Sequence, residues 1–208
     1  MTVHGRSLTL ADAALPWRAA TGATSVLRAA VLVVAGAALT AVSAQIAWFA
    51  PWNHAVPYTF QTAAVLLVGT ALGARLGLVS MLLYVAVGAA GLGVFADGSS
   101  GLATPSGTLS ATIGYLGGFI IAGGLVGWLA ERGWDRSPLS TIGLMVLGNL
   151  VIYGVGIPVL IAVTALDLGT AVKVGALDFV PWDAIKIVAA AGLLPLAWRA
   201  VGSRRSDT

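Results

Sequence analysis

Long apolar runs, interrupted by short polar or proline-containing breaks, make up most of the chain. No charged residue lies between Arg28 and Arg75, and this run is too long for one membrane span. Residues 49–57 interrupt the run with two prolines and an Asn-His pair, which is typical of a break between elements. The pattern therefore predicts two helices, at 28–48 and 59–74.

The same pattern recurs after Arg75. Polar stretches at 93–110, 131–138 and 164–181 separate the later apolar segments, and the last stretch is expected to cross the outer face. The apolar segments themselves predict helices at 77–92, 111–130, 139–163 and 182–199. The prediction is therefore an all-α, polytopic membrane protein with six transmembrane helices. Its single domain covers 27–200, between an N-terminal tail at 1–26 and a C-terminal tail at 201–208.

Composition supports the membrane assignment. Hydrophobic residues form 58% of the chain and charged residues 9%, with a mean hydropathy of +0.94. A soluble domain carries about 25% charged residues. Strand-like alternation is absent and the apolar runs are long, so we expect helices and not an outer-membrane barrel. Cysteine is absent from the sequence, which excludes disulfides, thiolate metal sites and a cysteine nucleophile.

The positive charges are distributed unequally between the two sides of the predicted bundle. Lys173 falls on the side opposite the termini, and Lys186 falls at the membrane edge. The arginines all fall on the terminal side: Arg6, Arg18, Arg28, Arg75, Arg132, Arg136, Arg199, Arg204 and Arg205. Cytoplasmic loops carry the excess of Lys and Arg in membrane proteins. Both termini are therefore predicted to be cytoplasmic.

A charged pair opens the last predicted helix. Asp183 and Lys186 are three residues apart and so share one helical face, and residues 187–198 after them carry no charge. Ionisable residues inside a membrane segment are costly and by default indicate a functional site. One interpretation is an intrahelical pair whose lysine extends outward to water. The interpretation that we favour is the polar end of a ligand site open to the outside.

Other side chains are candidates for the same site. Thr59 is a candidate N-cap, and Gln61 places an amide just inside the membrane, where it needs a partner. Tyr115 and Tyr153 bring hydroxyl groups into apolar helices. Hydrogen bonds within the bundle are the alternative for Gln61, Tyr115 and Tyr153. Two aromatic residues are expected to cover the site as an apolar lid: Phe95 and Trp52.

Small residues predict close helix packing in two places. Ala37 and Ala41 form a small-xxx-small pair, which serves either packing inside the bundle or docking onto a second membrane protein. The fourth predicted helix is unusually rich in glycine, which costs helix stability and indicates close approach of neighbours. These glycines are Gly114, Gly118, Gly123, Gly124 and Gly127.

Several chemistries are not expected. The sequence has no Gly-x-x-x-x-Gly-Lys-Ser/Thr loop for nucleotide phosphates. Its two histidines, His4 and His54, are far apart and outside the predicted helices. A histidine metal site or a Ser-His-Asp triad is therefore not predicted. We expect no enzyme activity, no metal, no cofactor and no nucleic-acid partner.

Taken together, these segments resemble the biotin-specific substrate-binding subunits (BioY) of energy-coupling-factor, or ECF, transporters. The resemblance covers about 38–191 and depends on four blocks in order. The blocks lie at 38–46 with 56–62 and 66–69; at 83–88 with 91 and 94–96; at 114–119; and at 151–153 with Pro-Trp-Asp-Ala-Ile-Lys at 181–186. The sequence departs from the family pattern at Ala111-Thr-Ile-Gly-Tyr115 and at Gly91-Leu-Gly93. An asparagine contact to the ligand, expected in relatives, has no clear counterpart.

The resemblance implies a six-helix bundle that binds biotin near its outer surface. It implies that Asp183 and Lys186 lie near the ureido ring, and that Ala37 and Ala41 face a transmembrane coupling protein. Two cytoplasmic ABC-type ATPases complete such complexes. The expected function is biotin uptake across a prokaryotic cytoplasmic membrane. Two alternatives are a permease that takes up biotin or another small vitamin without an ATPase, and a membrane scaffold that transports nothing.

Overall fold

The structure is a computed structural model that describes residues 2–3, 6–14, 22–104 and 107–206. Two short strands and a short helix precede the bundle: β1 (Thr2–Val3), β2 (Arg6–Ser7) and α1 (Leu10–Ala14). The bundle and its connections consist of α2 (Ala23–Ala44), β3 (Ala47–Ala50), β4 (Asn53–Thr59), α3 (Gln61–Leu72), α4 (Ala74–Ala89), α5 (Ile113–Ala130), α6 (Pro138–Thr164), α7 (Leu168–Gly175) and α8 (Val180–Ser206). Predicted tail residues Arg18 and His4 lie outside the described ranges.

The predicted apolar segments all form helices. Within the described residues, four segments are long and apolar enough to cross a membrane: Ala23–Ala44, Ile113–Ala130, Pro138–Thr164 and Leu168–Val201. The other two predicted spans, α3 and α4, have 12 and 16 residues. They are shorter than the ~20 residues that usually span a bilayer. The structure therefore supports a helical membrane protein, with four of the six predicted helices long enough to span.

A β-hairpin corrects the all-α prediction. Strands β3 and β4 pair antiparallel across a two-residue turn at Pro51 and Trp52, where a simple break was predicted. Val56 and Tyr58 alternate along β4 and are buried beneath the hairpin, which is the period-2 pattern of a strand with one covered face. Thr59 is consequently the last residue of β4 and not a helix residue. Its Oγ1 atom still accepts a hydrogen bond from the Gln61 backbone N–H, at 3.2 Å.

The stretch at 164–181 also contains more structure than the sequence predicted. It contains α7, which begins after Asp167, whose side chain accepts a hydrogen bond from the Thr170 backbone N–H at 3.0 Å. Lys173 lies in the last turn of α7, where the helix dipole favours a cation. At the other end of the chain, α8 continues to Ser206, so most of the predicted C-terminal tail is helical.

Glycines on α5 allow the close packing that the sequence predicted. A Cβ atom added to Gly118 would lie 2.9 Å from the Ile152 Cα atom of α6. A Cβ atom added to Gly123 would lie 2.9 Å from the Met81 side chain of α4. The α5 backbone therefore lies directly against two neighbouring helices.

The bundle has two ends. The helices alternate in direction, so the end that carries the 131–137 turn also carries the N-terminal segment. There, Arg136 donates a hydrogen bond to the Leu8 carbonyl oxygen at 3.3 Å, and its guanidinium group lies 4.5 Å from the Trp198 ring centroid. The Trp198 indole N–H donates to the Asp135 carboxylate at 2.6 Å. These contacts fasten α8 to the turn between α5 and α6. We call the end of the bundle that carries these contacts the terminal end.

We expect opposite effects from alanine at two adjacent glycines of α5. Gly118→Ala places a methyl group against the α6 backbone and should lower the free energy of unfolding by about 1–3 kcal/mol. At Gly117 an added Cβ would meet the Val155 side chain at an ordinary 3.7 Å. Gly117→Ala should therefore be neutral or stabilising by up to ~1 kcal/mol, because alanine favours the helix. Thermal unfolding in detergent measures both; equal effects would contradict the close packing.

The Asp135 carboxyl gives a pH-dependent prediction. Burial raises its pKa above the usual range, against the opposing effects of the Trp198 N–H and Arg136. Between the unfolded and folded pKa values the folded protein binds more protons, so stability falls as pH rises through that window. Asp135→Asn keeps an acceptor for Trp198 without the buried charge. Its melting temperature should exceed that of the wild type at neutral pH, and the difference should shrink at acidic pH. A variant that is less stable at neutral pH would contradict this reasoning.

Candidate ligand-binding site

A cavity of about 390 Å³ lies at the end of the bundle opposite the terminal end. Helices α3, α5, α6 and α8 line its interior, while the hairpin, the 93–112 loop and the α7 region surround its mouth. The cavity is lined by seven of the eight predicted ligand-binding residues: Thr59, Gln61, Phe95, Tyr115, Tyr153, Asp183 and Lys186. Residues that are far apart in the sequence therefore meet around one volume.

The charged pair forms the polar end of this cavity. Lys186 Nζ donates to Asp183 Oδ1 at 3.0 Å and to Thr62 Oγ1 at 2.8 Å. The Tyr153 hydroxyl donates to the other carboxylate oxygen of Asp183. The two charged side chains are only 8% and 7% exposed. The carboxylate thus has a partner on each oxygen, while it still lines the cavity.

This burial argues against the interpretation in which Lys186 extends outward to water. A lysine that extends toward water near a helix end keeps its ammonium group exposed. Lys186 instead turns inward, toward Thr62 on α3. Removing one partner of a buried ion pair typically costs about 3–5 kcal/mol, because the other charge remains buried and unpaired. Removing either charge of this pair is therefore expected to destabilise the bundle.

Tyr115 and Gln61 face the cavity and also support its walls. The Tyr115 hydroxyl donates to the Gly175 carbonyl oxygen at 2.8 Å, which fixes the C-terminal end of α7. The Gln61 amide donates to the Tyr84 hydroxyl at 2.5 Å, and that hydroxyl donates to the Val94 carbonyl oxygen at 3.1 Å. The predicted alternative of hydrogen bonds within the bundle thus holds for both residues. Their remaining surface still lines the cavity.

The two residues predicted as an apolar lid are placed differently. Phe95 is buried and lines the cavity, with its ring centroid 5.5 Å from that of Tyr84. Its ring lies directly over Gly88, where a Cβ atom would overlap it. Trp52 is 68% exposed at the hairpin turn and does not line the cavity. The structure therefore does not place Trp52 against the cavity, whereas Phe49 of β3 lines it.

The hairpin is joined to the α7 region over the mouth of the cavity. The Asn53 amide donates to the Val174 carbonyl oxygen at 2.7 Å, and the Tyr58 hydroxyl donates to the Asp178 carbonyl oxygen at 3.1 Å. The Tyr58 ring stacks on Phe179, with centroids 4.4 Å apart. Two segments more than 100 residues apart in the chain therefore form one cover.

Thr62 and Phe179 are among the residues of this cavity that sequence reasoning did not name. Thr62 supplies an acceptor for Lys186, and Phe179 adds an aromatic wall. The need for an acceptor was predictable from a buried lysine, but its identity was not, since 124 residues separate the two partners. Phe179 adjoins the recognised 181–186 block, which was the available signal.

The small residues of α2 are not equally accessible. Ala37 is buried in the core of the bundle, and the adjacent Gly36 packs against Val68 and Ser80. Ala41 is half-buried and packs at the edge of the same core. The structure thus favours packing inside the bundle for Ala37. A docking role that needs the Ala37 side chain exposed is not supported.

Among the described residues, no group of three or more His, Cys, Asp or Glu side chains is arranged to hold a metal ion. The polar groups that line the cavity are the Asp183 carboxylate and the Lys186 ammonium at its end, the Asp97 carboxylate of the 93–112 loop, several hydroxyl groups and the Gln61 amide. Such a set offers a bound molecule both hydrogen-bond donors and acceptors.

A double-mutant cycle tests the coupling of the pair. Asp183→Asn and Lys186→Met should each lower the free energy of unfolding by about 3–5 kcal/mol. The double variant should lose clearly less than the sum, because neither charge then remains unpaired. The matched control is Lys173→Met, which removes an exposed lysine from its pair with Asp178 and should cost at most ~1 kcal/mol. Additive losses in thermal unfolding would contradict the coupling.

Comparison with known proteins agrees with this architecture. The sequence profile of the BioY family matches residues 12–203. The biotin transporter BioY of Rhizobium etli is 36% identical over 143 residues, which cover 65% of this chain and 74% of that protein. The biotin transporter BioY of Thermotoga maritima is 36% identical over 148 residues, which cover 70% and 82% respectively.

A solved structure shares the fold. The crystal structure of the S-component for biotin from an ECF-type ABC transporter superposes with a TM-score of 0.75, covering 86% of this chain and 95% of that one. Its sequence identity is 19%, so this similarity concerns the fold. The family profile covers nearly the whole chain. The Rhizobium and Thermotoga relatives support the same family. The chain belongs to the BioY family.

Proposed function

We propose that this protein binds biotin in the cavity and is the membrane-embedded substrate-binding subunit of a biotin uptake system. The observation that carries the proposal is the buried Asp183–Lys186 pair at the end of a cavity with mostly apolar walls. Relatives that are over a third identical to this chain are biotin transporters, which supports the same ligand here.

The chemistry of the polar end suits a ureido ring. This group offers two N–H donors and a carbonyl acceptor. The Asp183 carboxylate has further lone pairs beyond those used by Lys186 and Tyr153, and the ammonium group has three N–H donors. A carboxylate accepting from the ureido N–H groups and an ammonium donating to the ureido oxygen form charge-assisted hydrogen bonds, which are the stronger kind.

The rest of the cavity suits the remainder of the ligand. Its volume of about 390 Å³ is in the range of small-molecule sites, about 300–1,000 Å³. Phe95, Leu116, Phe119 and Phe179 present apolar surface to it. These walls match a fused bicyclic ring and an aliphatic chain, while the hydroxyl groups nearer the mouth suit a carboxylate tail.

We further propose that the cavity opens to the outside of a prokaryotic cytoplasmic membrane. The support is the charge distribution. Arg75, Arg132, Arg136 and Arg199 lie toward the terminal end, and the positive-inside rule assigns such an end to the cytoplasm. Both termini would then be cytoplasmic. The mouth, beneath the hairpin and α7, would face the solution from which a scarce vitamin is captured.

Inward delivery is proposed to need an ATP-driven ECF module, a transmembrane coupling protein with two cytoplasmic ABC-type ATPases. The sequence has no phosphate-binding loop of its own, and the similar solved protein is a component of an ECF-type ABC transporter. We assign the docking surface to α2. Ala41 and the exposed Leu39 and Val42 are its candidates, because Ala37 is buried.

Biotin titration of the purified protein tests ligand and site together. The wild type should bind biotin, and Lys186→Met and Asp183→Asn should weaken binding by at least about tenfold, equivalent to ~1.4 kcal/mol. Isothermal calorimetry gives the affinities. Where a single variant is too unstable for the titration, the double variant Asp183→Asn/Lys186→Met is titrated in its place.

The control for this titration is Lys173→Met, which removes a lysine outside the cavity and should bind like the wild type. If folded wild-type protein binds no biotin, the proposed ligand is wrong. If the double variant binds as tightly as the wild type, biotin stands but the assigned polar end is wrong.

Uptake assays separate the ECF proposal from a permease that works alone. Biotin-requiring cells that carry this chain should accumulate labelled biotin when a coupling module is present, and uptake should stop when the module's ATPases are inactivated. Substantial uptake in cells without any coupling module would instead establish the permease.

A further inference from the structure

A second, much smaller cavity lies beside the charged pair. Its volume is about 20 Å³, and it shares Lys186 and Thr62 with the large cavity. Asn149 of α6 also lines it, while Leu66, Met145 and Ala190 supply apolar walls. A buried space of this size holds one water molecule when polar groups line it.

Only one of the two polar atoms of the Asn149 side chain has a hydrogen-bond partner among the described residues. Its side chain is 8% exposed, and its amide N–H donates to the Met145 carbonyl oxygen at 3.2 Å. Its Oδ1 atom is buried and accepts no hydrogen bond from the described residues. Leaving a buried polar atom unpaired is unfavourable, so a side chain of this kind requires a donor.

Donors are available across the small cavity. The Lys186 ammonium has three N–H groups, and the described residues accept two of them, through Asp183 and Thr62. The Thr62 hydroxyl accepts from the lysine and has an O–H of its own to donate. A water molecule in this space can therefore accept from Lys186 and donate to Asn149 Oδ1, and so satisfy both groups.

We propose that Asn149 is a positioning residue that holds one buried water molecule against the Lys186 ammonium group. The water accepts the third N–H of the Lys186 ammonium. Without a ligand, the ammonium is then held by Asp183, Thr62 and the water. When a ligand binds, the N–H that donates to Asp183, which lines the large cavity, is shared with the ureido oxygen, while Thr62 and the water keep the ammonium in position. Asn149 itself does not contact the ligand.

The apolar surroundings of Asn149 support this role. With Leu66, Met145 and Ala190 around it, a leucine of similar size would suit the position if packing alone were required. The Asn149 amide nitrogen has a partner, whereas its Oδ1 atom has none among the described residues. The side chain lines a cavity that has the volume of one water molecule and that Lys186 also lines. The bound water explains this arrangement.

A crystal structure at a resolution that shows ordered water tests the site directly and needs no biotin. For the wild-type chain we expect density within about 3 Å of both Asn149 Oδ1 and Lys186 Nζ. The same density should be absent in Asn149→Leu, with the fold unchanged. A dry cavity in the wild type, or a protein donor on Asn149 Oδ1, would overturn the proposal.

Biotin affinity tests the positioning role, and this arm rests on the proposed function. Asn149→Leu should bind biotin about three- to tenfold more weakly, the worth of one hydrogen bond. Asn149→Asp keeps an oxygen acceptor toward the water and should restore affinity to near the wild-type value. Met145→Leu changes the apolar wall without changing the acceptor and should bind as the wild type does.

The outcomes separate the two claims. Equal affinities of Asn149→Leu and the wild type would overturn the positioning role. Equal weakening in all three variants would also overturn it, because that result indicates a packing defect. If the wild type binds no biotin, the proposed function fails, and the presence or absence of the water in the crystal structure decides the inference.

Discussion

The buried ion pair between Asp183 and Lys186 imposes a requirement that the surrounding bundle must meet. Two charges in an apolar environment are tolerated only when each has its hydrogen bonds satisfied. The structure meets this requirement from three helices: α8 supplies the pair, α6 supplies the Tyr153 hydroxyl, and α3 supplies Thr62. The relative positions of these helices are thereby tied to one polar cluster. The same cluster closes the cavity, so the stability of the bundle and the proposed ligand recognition depend on the same atoms.

The bundle leaves a cavity at this end and is closely packed at the terminal end. There, a Cβ atom added to Gly127 of α5 would overlap the Gly73 backbone, so only glycine allows this close approach. Toward the cavity the helices are covered by a hairpin and a short helix, which are joined by the hydrogen bonds of Asn53 and Tyr58 and by the packing of Tyr58 on Phe179 in the hydrophobic core. These contacts hold the cover over the mouth of the cavity.

Much of the fold and most of the site could be predicted from the sequence. The apolar runs predicted each long helix, and a charged pair followed by twelve uncharged residues indicated the polar end of the cavity. Two features were not predictable from local pattern. The hairpin at 47–59 contains two prolines, which read as a simple break, and its strand character depends on burial against α7. Trp52 lies in the turn of this hairpin, where it is exposed and does not line the cavity. Partners such as Thr62 depend on helix packing across more than 100 residues, which spacing does not reveal.

The most direct test of the account is a structure of the purified protein with biotin bound. The account predicts the ligand in the large cavity, with ureido N–H groups within hydrogen-bond distance of the Asp183 carboxylate and the ureido oxygen within reach of Lys186 Nζ. The bicyclic ring should lie against Phe95 and Phe119, and the carboxylate should point toward the mouth. Biotin bound with its carboxylate at Lys186, or outside this cavity, would contradict the account.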